Sequence, residues 1–262
     1  MNSGTPNHYT LTKKQQAILN LLYRFRFATS QQLSQTLTIT KATTNKRLKL
    51  MMELKYIGRR YKPEYRLLRK HAAYYLLPNG INALKKVSNK KYIFKVLRNI
   101  RNDENVSEQF VNHCLAMFDI YCLMRKQQGE ELQFFTKTQI APASYFPKQP
   151  PDAHIQIGSE PKLFLLDLLH HDQPFFRSTG AVIRYIDYAD EGKWPEKYEF
   201  PKILLICDNP SLQKRLLKKM HRRIENLDDP RLKLYITNLN NLKDDTWRDM
   251  SNLDETLSLS QI

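Results

Sequence analysis

The chain has 262 residues, of which 41% are hydrophobic, and a formal net charge of +16 at pH 7. This length suits two domains better than one, and this hydrophobic content is enough for packed cores. No run of about 18 apolar residues occurs, which excludes a membrane-spanning helix.

The cysteines and the N-terminal sequence indicate the compartment. Cys114, Cys122 and Cys207 are three in number and lack C-x-x-C spacing, so they cannot all pair. Cys114 and Cys122 lie in a strongly helical stretch, and we interpret them as reduced, buried thiols. The N-terminus lacks the apolar segment of a secretory signal. We therefore expect a cytoplasmic protein.

Positive charge is concentrated in the first part of the chain. Residues 1–101 contain 22 Lys and Arg but only two acids, Glu53 and Glu64, for a net charge of +20. Residues 102–262 contain 20 Lys and Arg and 24 acids, for a net charge of −4. This asymmetry indicates one domain built for a polyanion and one that is not, with a boundary near 99–109.

Three helices are predicted at the start of the first region. Thr12 with Gln15, and Thr29 with Gln32, each fit a capping box and mark the starts of a long and a short helix. A three-residue break at 38–40 precedes a third helix with the sequence KATTNKRLKLMMELKYIG. Long helix, short helix, turn and third helix is the helix-turn-helix arrangement.

The third predicted helix has a polar and basic surface opposite its core line of Leu48 and Met51. A surface of this kind suits the major groove of DNA. Leu50 is an apolar exception, which contacts either a thymine methyl group or a neighbouring domain. The predicted DNA-contacting residues of this helix are Thr43, Lys46, Arg47 and Lys49.

Two short strands follow, at RRY (59–61) and AAYYLLP (72–78), and a basic connection joins them. We interpret this hairpin as the wing of a winged helix, lying over backbone phosphates. The predicted phosphate-contacting residues are Arg59, Arg60, Lys62, Arg66, Arg69 and Lys70.

We therefore expect residues 1–101 to form a winged-helix domain that binds duplex DNA. RNA is disfavoured because no aromatic-rich pair of strands is present. The alternatives are a solvated basic surface on an ordinary helical domain, and docking of the winged helix onto another protein.

Residues 102–242 are predicted to form an α/β domain with the element order α-β-β-β-α-β-α-β. Residues 243–262, rich in Asp, Asn and Ser, are expected to be a flexible tail. The predicted helices are 104–128, 177–191 and 210–227, and the strands are 132–138, 152–158, 162–169, 202–207 and 232–239.

Two acids interrupt this apolar pattern. Asp167 lies in a strand that is apolar on both faces, so we expect it either to lie near the strand end or to have a partner. A hairpin with the preceding strand would bring Asp152 near it. One interpretation is a Mg²⁺ site formed by Asp152 and Asp167. The other, which we favour, is that Asp152 starts its strand and Asp167 forms an ion pair with Arg177 or Arg184.

An αβββαβ core with PD on its second strand and an acid on its third resembles the PD-(D/E)XK fold of restriction-endonuclease-like proteins. The whole chain to about residue 242 resembles the replication-relaxation family of plasmids and other mobile elements. This resemblance implies a DNA-binding protein that acts in replication control or conjugative transfer. The matching segments are LTKKQQAILNLLYRFRFATSQQL, YYLLPNGINAL, HCLAMFDI, PPDAHIQI, LFLLDLLHHDQ and FPKILLICDNPSLQKRLLKKM.

The sequence departs from an active PD-(D/E)XK motif at one position. In that motif the carboxylates bind Mg²⁺, and a Lys two residues after the second acid orients the attacking water. Leu169 stands at the position of this Lys. Arg184, on the next helix, is expected to reach the site, but a guanidinium stays protonated and cannot act as a base. We assign no catalytic residue and no cofactor; a nuclease would use Asp152, Asp167 and Arg184 with Mg²⁺.

Three hypotheses of function follow. The first is a DNA-binding protein of a mobile element, whose winged helix reads duplex DNA and whose α/β domain assembles with a second copy or with a replication or relaxase protein. The second is a Mg²⁺-dependent endonuclease that the winged helix targets, which Leu169 disfavours. The third is a transcriptional repressor whose second half senses a ligand; with seven glycines and no Gly-rich loop, a nucleotide is a disfavoured ligand.

Overall fold

The computed structural model describes residues 10–87, 94–227 and 229–262, which form a mixed α+β protein. The chain divides into two compact units, Met1–Asp119 and Ile120–Ile262, and the division falls inside one helix, Glu108–Gln128. Residues 1–9, where we expect no secretory signal, lie outside the described residues. Within the described residues, no helix combines the length and the apolar character needed to cross a bilayer.

The first unit contains three N-terminal helices, a two-stranded sheet with a helical turn between its strands, and two further helices before the dividing helix. Both predicted capping boxes are confirmed, since Thr12 accepts from the Gln15 N–H and Thr29 from the Gln32 N–H. Its elements are α1 (Lys13–Phe25), α2 (Ser30–Thr36), α3 (Lys41–Glu53), β1 (Ile57–Arg60), α4 (Glu64–Leu67), β2 (Ala73–Leu76), α5 (Pro78–Val87), α6 (Phe94–Arg101) and the first part of α7 (Glu108–Gln128).

The core of the first unit draws on residues beyond 101. The rings of Phe25 and Phe118 stack with centroids 4.2 Å apart. Arg26 forms an ion pair with Asp103, whose side chain is fully buried. The start of α7 therefore packs within this unit, although the predicted domain boundary lies before it.

Strands β1 and β2 pair antiparallel, with Ile57 opposite Leu76. Gly58 faces the ring of Tyr75 so closely that an added Cβ would lie 2.3 Å from it, so a side chain at this position would displace the ring. The connection between the strands contains the helical turn α4, which the sequence pattern does not predict. Pro63, held by its ring at φ −52°, is already in the helical region and starts this turn.

The second unit is built on a seven-stranded sheet in the order β3-β4-β5-β6-β7-β8-β9. Strands β5, β6 and β7 are parallel to one another, and the other neighbours pair antiparallel. The strands are β3 (Leu132–Thr136), β4 (Ala153–Ile157), β5 (Lys162–Leu169), β6 (Lys202–Cys207), β7 (Leu234–Asn238), β8 (Trp247–Asp249) and β9 (Thr256–Leu257).

Two helices connect the parallel strands and pack on one face of the sheet. They are α9 (Phe175–Asp190) and α10 (Pro210–Glu225), and Val182 and Leu216 lie in one core cluster with Leu165 of β5. The predicted order α-β-β-β-α-β-α-β is confirmed, with one addition. A capping box at Thr136 ends β3 and starts the short helix α8 (Lys137–Ile140).

Residues 243–262 do not form the flexible tail that their polar composition predicts. They form β8 and β9, which extend the sheet beyond β7. Trp247 and Met250 are fully buried, and Leu259 and Ile262 are buried near the end of the chain. A few well-spaced apolar residues are enough to anchor a polar segment when an unpaired sheet edge is available to it.

We expect Trp247→Ala to lower the free energy of unfolding by about 3–5 kcal/mol, because it leaves a cavity in a packed core. Arg248→Ala, on the exposed face of the same strand, should change it by less than about 0.5 kcal/mol. Denaturant unfolding of both variants measures the difference. Equal, unchanged stabilities would show that this segment does not contribute to the core.

Candidate functional site

Helix α3 has one buried and one exposed face. Thr40 caps the helix by accepting from the Thr43 N–H at 3.2 Å. The buried face consists of Thr44, Leu48 and Met51. Of the predicted DNA-contacting residues, Thr43, Lys46 and Lys49 are exposed.

Arg47 differs from the other three predicted residues of α3. It is only partly exposed, and its Nη1 atom is buried without a hydrogen-bond partner among the described residues. Leu50, the apolar exception, is also partly exposed. The surface of α3 that faces solvent is therefore centred on Lys46 and Lys49.

Most predicted phosphate-contacting residues of the β1–β2 hairpin are exposed. Arg59 lies over the ring of Tyr61, 4.9 Å from its centroid. The exposed members of the set are Arg59, Lys62, Arg66, Arg69 and Lys70.

Three members of this set also bind partners within the first unit. Arg59 makes a side-chain hydrogen bond with Tyr74. Arg60 is partly exposed and donates from Nη1 to the carbonyl oxygen of Val106 at 2.6 Å. The Lys70 ammonium lies 3.9 Å from the Glu108 carboxylate. The same carboxylate accepts from the Tyr65 hydroxyl at 2.6 Å, and burial followed by this hydrogen bond raises the pKa of Tyr65 to about 12. Arg60 and Lys70 thus help to hold the hairpin against the start of α7.

The sequence pattern did not single out two exposed leucines in this hairpin. Leu67 is 86% exposed and Leu68 is 62% exposed. The turn α4 places them between Arg66 and Arg69. The sequence feature that could have identified them is a pair of adjacent apolar residues inside a basic run. Strand alternation alone does not predict whether such a pair is exposed.

The two acids of the second unit meet across the β4–β5 pair. Ala153 lies opposite Leu166, and this register brings Asp152 beside Asp167. The Asp152 N–H donates to Oδ1 of Asp167 at 3.1 Å, and the Leu168 N–H donates to Oδ2 of Asp152 at 3.1 Å. Each carboxylate is therefore bound to the backbone of the other strand.

Helix α9 supplies the remaining partners of Asp167. The Oδ2 atom of Asp167 accepts a hydrogen bond from the Arg184 guanidinium and a second one, at 2.8 Å, from the Tyr185 hydroxyl. The predicted ion pair is confirmed with Arg184, whereas Arg177 is exposed at the start of the helix. Burial raises the pKa of the Asp167 carboxyl; the Arg184 guanidinium acts in the opposite direction.

These residues do not fit a Mg²⁺ site. A divalent cation needs carboxylate oxygens that face it, whereas both oxygens of Asp167 accept hydrogen bonds from the protein. Arg184 holds a positive charge against Asp167, and the Lys137 ammonium lies 3.8 Å from Asp152. Leu169, at the position of the motif's Lys, packs in the apolar core. Within the described ranges, no group of three His, Cys, Asp or Glu side chains is placed to hold a metal ion.

We expect Arg184→Ala to lower the free energy of unfolding by about 3–5 kcal/mol, because it leaves the Asp167 carboxylate buried without its cation. Arg177→Ala is the matched control on the same helix and should have an effect below about 0.5 kcal/mol. Denaturant unfolding at neutral pH compares the two variants. Similar losses in both would contradict a structural role for the Asp167–Arg184 pair.

The family of the chain follows from comparison with known proteins. The search of curated proteins finds no match. Among solved structures, two variant forms of ZitR from Lactococcus lactis align at 16% and 15% identity, covering 48% of this chain and 82% and 80% of theirs. Their TM-score is 0.27. A family model described as Replication-relaxation matches residues 19–203, which is more than half of the chain. The protein therefore belongs to the replication-relaxation family.

Proposed function

We propose that this protein binds duplex DNA of a plasmid or other mobile element and acts in its replication control or conjugative transfer. Residues 1–101 supply a winged helix, with α3 in the major groove and the β1–β2 hairpin over the phosphates. Residues 102–242 supply a PD-(D/E)XK-like core that serves assembly. The family to which the chain belongs supports a role of this kind.

The exposed face of α3 is the observation that carries this proposal. Helices are usually stabilised by acids in their first turn, because the N-terminus of a helix bears partial positive charge. Helix α3 begins with Lys41 and has no acid in its first turn. Lys46 and Lys49 continue the positive charge along its solvent face. Helix α3 therefore presents cations from its first turn along its solvent face, which suits contact with DNA phosphates. The missing acid alone does not distinguish α3, since α1, α9 and α10 lack one as well.

The hairpin supports the same proposal in a different way. Its exposed Lys62, Arg66 and Arg69 form no ion pair among the described residues. Lys and Arg contacts to phosphate supply most of the sequence-independent affinity for DNA and position the protein on the duplex. The hairpin therefore has the chemistry of a positioning element, and α3 that of a reading element.

The second unit supports binding without cleavage. Arg184 and Lys137 supply positive charge to the two acids from within the protein. The core then acts as a scaffold, and its partner is a second copy of this chain or a replication or relaxase protein. This assignment differs from the endonuclease hypothesis in requiring no metal.

We expect the full chain to bind a selected target duplex more tightly than a random duplex, and Lys46→Ala to remove about 1–3 kcal/mol of this difference. Arg66→Ala should weaken binding to both duplexes equally and reduce the slope of log affinity against log salt by about one. Titrations from low to high salt measure both quantities.

The matched control for these variants is Lys126→Ala, which removes one exposed lysine from the second unit. It should leave both the discrimination and the slope unchanged. A loss of specificity on changing Arg66 and not on changing Lys46 would reverse the assigned roles of the hairpin and α3. Affinity that does not depend on salt would contradict DNA binding through these cations.

A further inference from the structure

Helix α10 carries a stripe of exposed cations on the second unit. One face of the helix is buried in the core through Leu212, Leu216 and Met220. Six exposed Lys and Arg occupy the opposite face. We call these residues the α10 stripe: Lys214, Arg215, Lys218, Lys219, Arg222 and Arg223.

The α10 stripe lacks internal neutralisation. None of its six cations forms an ion pair with an acid in the part of the chain that the structure describes. Arg215 lies over the ring of Phe175, with its guanidinium carbon 3.9 Å from the centroid. Two ion pairs lie near the stripe but do not include it. His221 pairs with Glu225, and Arg231 pairs with Asp229.

The spacing within the stripe is unfavourable for the helix alone. Lys214, Lys218 and Arg222 follow one another at i,i+4, and Arg215, Lys219 and Arg223 form a second such row. Like charges at i,i+4 destabilise a helix by a few tenths of a kcal/mol per pair. An external anion that neutralises both rows removes this repulsion.

Overall charge conceals the stripe in the sequence. Residues 102–262 have a net charge of −4, yet six of their 20 Lys and Arg fall within positions 214–223. These ten residues span about 14 Å of helix. A charge density of this kind matches a phosphate backbone, which presents one negative charge per roughly 1.7 Å of duplex axis.

We propose that the α10 stripe is a second DNA-binding surface, which holds the phosphate backbone of a duplex independently of the first unit. The ring beside the stripe, Phe175, is covered by the Arg215 guanidinium, whereas surfaces for single strands combine cations with open rings on which bases stack. Helix α10 cannot insert into a bilayer, because its apolar face is buried in the core. Binding through the stripe is independent of sequence, since Lys and Arg contact phosphates and not base edges. A protein with two such surfaces joins two DNA segments.

Capture of a second duplex tests this inference with the full chain. Protein is loaded onto an immobilised duplex, unbound protein is washed away, and a fluorescent random duplex is added. The parent should capture the second duplex. The Lys214→Glu/Lys218→Glu/Arg222→Glu variant should remain bound to the immobilised duplex but capture at least tenfold less of the second.

Two further variants make the result specific. Lys126→Glu/Lys148→Glu/Lys197→Glu makes the same change of charge at scattered exposed positions of the second unit, and it should capture DNA as the parent does. Lys46→Glu/Lys49→Glu should still bind a single duplex through the stripe. Adding the three α10 substitutions to this variant should lower its slope of log affinity against log salt by about three. Circular dichroism and thermal unfolding verify that each variant is folded.

The outcomes separate this inference from the proposed function. Equal capture by the parent and the α10 variant would overturn the second surface and leave DNA binding by the first unit intact. Failure of the parent to capture a second duplex, or of the Lys46→Glu/Lys49→Glu variant to bind any DNA, would also overturn it. Full binding by the Lys46→Glu/Lys49→Glu variant that is lost on changing α10 would instead overturn the assignment of α3 and support the stripe.

Discussion

The burial of Asp167 in the interior strand β5 is the constraint on which the second unit depends. A carboxylate cannot be buried in an apolar sheet without partners that compensate for the water it loses. The β4–β5 register supplies the Asp152 N–H, and α9 supplies Arg184 and Tyr185. These contacts join the hairpin β4–β5 to the first crossover helix, so that one acid fixes the position of three elements.

The protein uses its cations in two distinct ways. Arg26, Arg60 and Arg184 bind acids or carbonyl oxygens of their own unit and hold elements together. The cations of the α3 face, Lys62, Arg66 and Arg69 of the hairpin, and the α10 stripe lie in solvent. Ion pairs between exposed side chains contribute little stability there. Positive charge that does not stabilise the fold is available for a polyanion. This distinction depends on the partner of each residue, and net charge alone does not reveal it.

Local signals in the sequence predicted much of the fold. The capping boxes at Thr12 and Thr29 and the order of strands and helices in the second unit depend on neighbouring residues, and they are present in the structure. The turn α4, the helix α8 and the strands β8 and β9 were not predicted. The first two are single turns within segments interpreted as connection or strand. Strands β8 and β9 have three and two residues within a polar segment, which is too short for alternation to predict them.

The candidate sites were predictable to different degrees. Helical spacing identified Lys46 and Lys49 as exposed, and the apolar setting of Asp167 required a partner such as Arg184. The contact between Arg60 and Val106 joins residues far apart in the chain, so periodicity could not identify it. The α10 stripe also follows from helical spacing of the Lys and Arg at 214–223. The negative net charge of residues 102–262 as a whole conceals this local cluster.

Incubation of the protein with supercoiled plasmid in Mg²⁺ or Mn²⁺ most directly tests whether it binds DNA without cutting it. Native gels report binding, and gels run after protein removal report nicking or linearisation. The account predicts that the parent retards the plasmid and leaves it supercoiled, and that an Asp152→Asn variant, which keeps an acceptor for the Leu168 N–H, behaves identically. Metal-dependent nicking by the parent that disappears in this variant would contradict the account and would make Asp152 and Asp167 a working catalytic pair.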